Sequence, residues 1–86
     1  MTSRRRPAPW LLRLAVDREG TVHEVVLDES RTVILAGHAP PGVVINVDDV
    51  AGRFAVNRIP VREALKTLVG EGLVDHRPRA GYVVAN

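Results

Sequence analysis

The strongest constraint on the fold of this chain is a periodic run of apolar residues between positions 58 and 70. These apolar residues recur with the period of an α-helix: they are Val61, Ala64, Leu65, Leu68 and Val69. Pro60 lies in the first turn of this run, where a missing N–H breaks no helical hydrogen bond. Gly70 and Gly72 mark its end. The pattern predicts an amphipathic helix over residues 58–70 that packs its apolar face on a core.

Length and composition allow one small domain with an aliphatic core. The chain has 86 residues, and its aromatic residues are Trp10, Phe54 and Tyr82. It has no cysteine, which excludes a disulfide framework and thiolate metal sites. No apolar run approaches the roughly 20 residues that a membrane span needs. We therefore expect a soluble, cytoplasmic protein without a membrane segment.

The amino-terminal third carries weaker signals. Residues 1–10 resemble a flexible basic arm with two prolines, and residues 11–21 fit either a small hairpin or an irregular lead-in. Residues 24–36 have helical character, and Gly37 follows where a C-cap glycine belongs. We expect residues 1–21 to form the arm and lead-in, and residues 22–86 to form the domain.

The middle and the end of the chain complete a recognisable order. A proline-rich turn at 40–42 precedes a short strand signal at 43–45, and a second helix, capped by Asn46 or Asp48, continues to about Phe54. After helix 58–70, two strand signals flank a basic turn at 77–81. This order predicts the α+β class, with a three-helix winged helix-turn-helix and a C-terminal β-hairpin wing.

The distribution of charge is consistent with nucleic-acid binding. Basic residues exceed acidic ones in residues 1–22 and 53–86, whereas acidic residues dominate 23–52. Arg58, Arg62 and Lys66 form a stripe that flanks the apolar face of helix 58–70, so the helix cannot lie flat along DNA. Its amino end, where free N–H groups favour phosphate, is the expected point of contact.

Two elements supply candidate DNA contacts. Arg58 can pair with guanine O6 and N7, Asn57 with adenine or a phosphate, and Arg62 with a phosphate or a second base. In the following turn, the candidate contacts belong to a basic wing that lies over the backbone or enters the minor groove. The wing candidates are His76, Arg77, Arg79 and Gly81. Taken alone, the basic stripe of helix 58–70 could be an ordinary solvated helix face. The basic turn alone could likewise be an ordinary polar turn.

Several segments of the chain resemble a known protein family. The segments that carry the resemblance are residues 56–65 (VNRIPVREAL), Leu68, residues 71–74 (EGLV) and residues 79–84 (RAGYVV). They resemble the DNA-binding domain of the GntR family of bacterial transcription regulators, in particular its large branch of fatty-acid and oxidised-substrate regulators, the FadR or FCD-like branch. The resemblance covers about residues 22–85.

The resemblance implies a winged helix whose recognition helix and wing hold operator DNA. By resemblance, Arg58 and Arg62 are the principal contacts, Asn57, Ile59 and Pro60 line the helix start, and the wing contributes the remaining contacts. These wing residues are His76, Arg79 and Gly81. No catalytic, cofactor-binding or metal-binding residue is expected.

The chain departs from the family pattern near these contacts. Asn57 replaces the usual Ser or Thr, and Ala55 replaces the usual Gly of the tight link. Asp48 occupies a position where relatives often carry a basic contact to DNA. The larger effector-binding and dimerising domain that usually follows the wing is absent from these 86 residues.

The leading function is sequence-specific DNA binding for transcriptional control, through repression at a promoter. The expected partner is double-stranded DNA, and a homodimer through the basic arm and residues 10–22 is a hypothesis that rests on apolar residues expected to lie outside the core. Those residues are Trp10, Leu11, Leu12 and Leu14. The alternative is a protein-interaction winged helix or a truncated regulator without specific DNA binding. Enzyme motifs are not recognisable in the sequence.

Overall fold

The computed structural model describes residues 8–17 and 19–86, so residues 1–7 of the predicted arm lie outside the described part. A 3-10 helix, Pro9–Arg13, precedes three α-helices and three strands. In chain order these are α1 (Val22–Leu35), β1 (Val44–Ile45), α2 (Val47–Phe54), α3 (Arg58–Gly70), β2 (Val74–Arg77) and β3 (Gly81–Val84). The predicted α+β class and winged helix-turn-helix arrangement are confirmed.

The first α-helix begins two residues earlier than its apolar period suggested. The Thr21 hydroxyl accepts a hydrogen bond from the Glu24 backbone N–H at 3.1 Å and donates one to the Glu24 carboxylate at 2.9 Å. Thr21 is thus the N-cap of α1, at the first position of a Thr-x-x-Glu motif. This motif explains the start at Val22 that the hydrophobic pattern placed at residue 24.

All three α-helices end in the same type of hydrogen-bonded turn. After α1, the N–H groups of Gly37 and His38 donate to the carbonyls of Ile34 and Val33, respectively, and the same pattern recurs after α2 and α3. The left-handed residue in this turn is Gly37 after α1, Ala55 after α2 and Gly72 after α3. The predicted glycine cap at Gly37 is therefore confirmed.

The wing belongs to a three-stranded antiparallel sheet in the order β1-β3-β2. β3 pairs with β2 along the hairpin, with His76 opposite Tyr82. It also pairs with β1, where Ile45 lies opposite Tyr82. Because β1 leads directly into α2, the sheet connects the wing to the helix-turn-helix.

The core lies between the three helices and the inner face of this sheet. α3 contributes its predicted apolar face, and Leu65 and Leu68 are fully buried. The other core residues come from every described element. They are Trp10, Leu11, Leu14, Val26, Val33, Ala39, Ile45, Val50, Ala51, Val61, Ala64, Val74, Tyr82 and Val84.

The amino-terminal segment differs from the prediction. Trp10, Leu11 and Leu14 are buried in the common core, whereas Leu12 is 61% exposed. The expectation that these apolar residues lie outside the core was therefore wrong for three of the four. The segment forms a 3-10 helix rather than the hairpin considered from its alternating pattern. Its apolar side chains pack against the helices, which local sequence alternation could not indicate.

Arg53, on α2, holds this segment in place. Its Nη2 donates to the backbone carbonyl of Leu14 at 2.9 Å and to that of Leu12 at 3.4 Å. These carbonyls end the 3-10 helix, so the guanidinium substitutes for a helical continuation.

A bidentate ion pair connects the two longest helices. Arg31 donates from Nε to Glu71 Oε1 at 2.9 Å and from Nη2 to Oε2 at 2.6 Å. These hydrogen bonds, and then the charge of Arg31, hold the pKa of Glu71 below its ordinary value of 4.5 in spite of partial desolvation. Because Glu71 follows the last residue of α3, the pair fixes that end of α3 on α1.

Candidate nucleic-acid interface

The amino end of α3 lies at the surface of the domain, with its first residues exposed. Asn57 is the N-cap residue, but its side chain makes no capping hydrogen bond. Arg58 and Ile59 are exposed, and Pro60 is half-buried in the first turn. The buried face of α3, which begins at Val61, anchors the helix and leaves this end accessible.

A cleft of about 480 Å³ separates the start of α3 from the wing. Its lining comes from β1, the start of α2, the exposed side of α3 and the wing. The lining residues are 44–48, Arg58, Arg62, His76 and 80–82. Four predicted site residues, Arg58, Arg62, His76 and Gly81, are therefore brought together around one cleft.

The remaining predicted site residues do not line this cleft. Asn57, Ile59 and Pro60 lie beside it at the start of α3, and Arg79 lies at the tip of the wing. Arg79 is exposed and has a left-handed backbone with a φ of 71°. These four residues extend the polar and apolar surface on either side of the cleft.

A short ion pair inside the cleft joins two helices. Nε of Arg58 lies 2.6 Å from Oδ1 of Asp48, which belongs to the first turn of α2. Both side chains remain about two-thirds exposed, at 64% and 65%. Asp48, which we noted as a departure from the family pattern, therefore contacts the predicted principal DNA-binding residue directly.

An aromatic pair forms the wing side of the cleft. The rings of His76 and Tyr82 stack with their centroids 4.7 Å apart and their planes at 21°. Tyr82 is buried and supports the more exposed imidazole of His76 from below. Sequence reasoning missed Tyr82 as part of the site, although its position opposite His76 in a hairpin would have indicated it.

The tip of the wing carries two further cations. Arg77 Nη2 lies 3.6 Å from the Asp75 carboxylate, two residues earlier on the same strand. Arg79 follows in the turn and points its charge away from the sheet's core, since its side chain is exposed. The wing thus carries two exposed basic residues outside the cleft itself.

The described residues contain no candidate metal site. Among residues 8–17 and 19–86, no group of three or more His, Cys, Asp or Glu side chains could hold a metal ion. Within the same residues, no helix has the length and apolar character that crossing a membrane requires.

Comparison with known proteins identifies relatives of this domain. Residues 23–84 match the family of bacterial regulatory proteins named gntR. The gluconate operon transcriptional repressor of Bacillus subtilis (strain 168) is 35% identical over 78 residues, which are 91% of this chain and 29% of the relative. An uncharacterised HTH-type transcriptional regulator of Escherichia coli (strain K12), YieP, is 43% identical over 49 residues, which are 56% of this chain and 21% of the relative. The chain spans less than a third of these curated relatives.

Solved structures show the same architecture. A GntR-family transcriptional regulator from Pseudomonas syringae pv. tomato str. DC3000 superposes with a TM-score of 0.78 at 28% identity, over 93% of this chain and 35% of that one. YtrA of Sulfolobus acidocaldarius, at 22% identity, shares the fold with a TM-score of 0.72, over 88% of this chain and 81% of that one. The chain belongs to the GntR family of bacterial regulatory proteins, as a winged helix DNA-binding domain of a transcription regulator.

Proposed function

We propose that this domain reads a specific sequence of duplex DNA through the cleft between α3 and the wing, and that it acts as a repressor by occupying a promoter. The observation that carries the proposal is the convergence of Arg58 and Arg62 with His76 and Gly81 around one cleft. A helix end that presents arginine forks suits the major groove, which is about 12 Å wide.

The proposed contacts divide between base reading and positioning. Arg58 reads guanine, while Asn57, Ile59 and Pro60 approach the base edges beside it. Arg62, one turn further along α3, contacts a phosphate or a second base. His76, Arg79 and Gly81 place the wing on the backbone or in the minor groove. Phosphate contacts fix the register, and base contacts supply the specificity.

The oligomeric state and the cellular location of the protein are also proposals. Two copies on a palindromic operator would double the contacts that one domain can make, so we propose a homodimer on DNA. The buried positions of Trp10, Leu11 and Leu14 argue against those residues as its interface. The names of the relatives support a cytoplasmic regulator rather than an enzyme, and they do not favour the protein-interaction alternative. Membership of the FadR or FCD-like branch stays a prediction.

The test is selection from a pool of random duplexes, followed by sequencing, at two salt concentrations. The native domain is compared with Arg58→Ala and with Lys66→Ala, which removes the same charge from an exposed position of α3 outside the cleft. We expect a motif that the native domain and Lys66→Ala both enrich and that Arg58→Ala loses.

One outcome of this selection would contradict the proposed function. Equal, weak and salt-sensitive binding by all three proteins, without an enriched motif, would leave charge attraction alone. That result would overturn base reading by α3 and move the assignment to the protein-interaction alternative or to a truncated regulator.

A further inference from the structure

The ion pair between Arg58 and Asp48 joins the first residue of α3 to the first turn of α2. At about two-thirds exposure, water screens such a pair and it adds little to folding stability. Its effect on the fold is therefore small. Its effect on Arg58 is geometric, because the 2.6 Å contact places a carboxylate against the Nε edge of a planar guanidinium.

The contact with Asp48 determines which part of the Arg58 guanidinium can reach a base. The Asp48 carboxylate oxygen lies 2.6 Å from Nε, so it occupies the side of the guanidinium that carries this nitrogen. The Arg58 side chain lines the cleft and keeps 64% of its surface exposed, so we expect the end of the fork, with Nη1 and Nη2, to be accessible to DNA. Guanine presents two acceptors, O6 and N7, to the major groove, and two parallel N–H groups match them. An arginine held at Nε thus approaches guanine end-on.

We propose that Asp48 is a positioning residue that holds Arg58 in this end-on orientation and so sharpens the selection of guanine. The inference rests on the proposed function, since it assigns the orientation of the residue that reads the base. It also accounts for an acidic residue in a cleft that otherwise favours DNA. Its carboxylate repels phosphate and lowers affinity for any duplex, while the oriented fork raises discrimination among duplexes.

These two effects have opposite signs and can be measured separately. Asp48→Asn removes the charge with little change of shape, and Asn46 still caps α2 by accepting from the Asp49 N–H at 3.0 Å. Asp49→Asn is the matched control, because it removes one negative charge from the same turn but does not line the cleft. Far-ultraviolet circular dichroism and thermal unfolding check that each variant is folded.

The experiment measures dissociation constants for the selected duplex and for variants at the guanine whose preference Arg58→Ala abolishes. One variant carries 7-deazaguanine, which lacks the N7 acceptor, and the others carry the remaining bases. We expect the native domain and Asp49→Asn to discriminate against these changes by about ten- to a hundred-fold. Asp48→Asn should bind unrelated duplexes as tightly as the native domain or more so, but its discrimination at that guanine should fall at least threefold.

A double variant isolates the coupling. In an Arg58→Ala background, Asp48→Asn should change discrimination no further, because no guanidinium remains to be oriented. Native discrimination in Asp48→Asn would overturn the positioning role while leaving DNA reading by Arg58 intact. If the native domain selects no motif that depends on Arg58, the proposed function fails and this role fails with it.

Discussion

At the scale of single residues, Ala55 marks the most strained backbone position of the helix-turn-helix. It links α2 to α3 with a φ of 56° and a ψ of 47°. Gly37 and Gly72 occupy the equivalent turns after the other two α-helices and have no Cβ to oppose this conformation. Left-handed geometry costs an L-residue about 1–2 kcal/mol. The motif therefore keeps its tight turn at a cost in stability.

Replacement of Ala55 by glycine should stabilise the domain. Relief of strain outweighs the added freedom of the unfolded chain, so we expect the free energy of unfolding to rise by about 0.5–1 kcal/mol. Urea denaturation measures the change. Ala36→Gly is the control, because Ala36 has a right-handed backbone with a φ of −77° and should gain nothing. An Ala55→Gly domain no more stable than native would contradict the strain argument.

Ile59 presents an apolar side chain to solvent beside the cleft, with 71% of its surface exposed. The C5-methyl group of thymine is the apolar feature that the major groove offers. If Ile59 packs on such a methyl group, deoxyuridine in place of that thymine should weaken native binding about fourfold, the equivalent of roughly 0.8 kcal/mol. Ile59→Ala should lose this sensitivity in a fluorescence-anisotropy titration. The same loss in both proteins would exclude Ile59 as the contact.

At the scale of secondary-structure elements, α3 was predictable and its surroundings were less so. The bounds Arg58–Gly70 agree with the prediction because a strong apolar period, Pro60 and a terminal glycine all act locally. The 3-10 helix Pro9–Arg13 is too short to have a period, and its burial depends on partners distant in sequence. The contact between Asp48 and Arg58 depends on the angle between α2 and α3, which residue spacing does not encode.

The contact of Arg53 with the 3-10 helix gives a test by fluorescence. Arg53→Met keeps apolar volume but removes both hydrogen bonds from Nη2 to the carbonyls of Leu12 and Leu14. Hydrogen bonds of a charged donor contribute roughly 1.5–3 kcal/mol, and the buried, unpaired Nε of Arg53 offsets part of this. We therefore expect Trp10, the only tryptophan in the sequence, to become more accessible to acrylamide quenching.

Arg62→Met is the control for that experiment, because it makes the same replacement at a position that lines the cleft and that has, among the described residues, no hydrogen bond with the 3-10 helix. Quenching should remain native in this variant. Native quenching in Arg53→Met as well would mean that apolar burial of Trp10 and Leu14 holds the segment without the guanidinium.

The ion pair between α1 and α3 predicts a loss of stability in acid. The pKa of Glu71 is lowered in the folded domain, so its contribution is complete above the ordinary value of 4.5 and is lost as the pH falls through the lower folded value. The difference in unfolding free energy between native and Glu71→Gln should be constant near neutral pH and shrink below pH 4.5. A constant difference down to acid unfolding would contradict the role of the carboxylate.

At the scale of the whole molecule, basic residues lie on the two elements that flank the cleft, while Asp48 and Asp49 lie at the start of α2 between them. This arrangement favours a phosphate backbone at the rims and leaves the base reading to α3. Arg79, exposed at the wing tip, belongs to the rim. Its proposed role is electrostatic and independent of base sequence.

Arg79→Asn tests this division of labour. Asparagine tolerates the left-handed backbone that Arg79 adopts, so the variant removes a charge without distorting the turn. We expect the slope of log affinity against log salt to fall by about 0.9 in magnitude, the value for one lost phosphate contact, while the selected motif stays the same. A changed motif would assign Arg79 to base reading, and an unchanged slope would remove it from the interface.

The pairing of β1 with β3 has a mechanical consequence. Ile45 is paired with Tyr82 in the wing's sheet and is followed within two residues by α2, so we expect the wing to move together with the helix pair. The distance between α3 and the wing is then set when the domain folds. Little further conformational entropy is lost when the domain binds DNA. The duplex must then do the adjusting. We expect sequences whose grooves reach that gap at low elastic cost to be favoured even at base pairs that no side chain contacts.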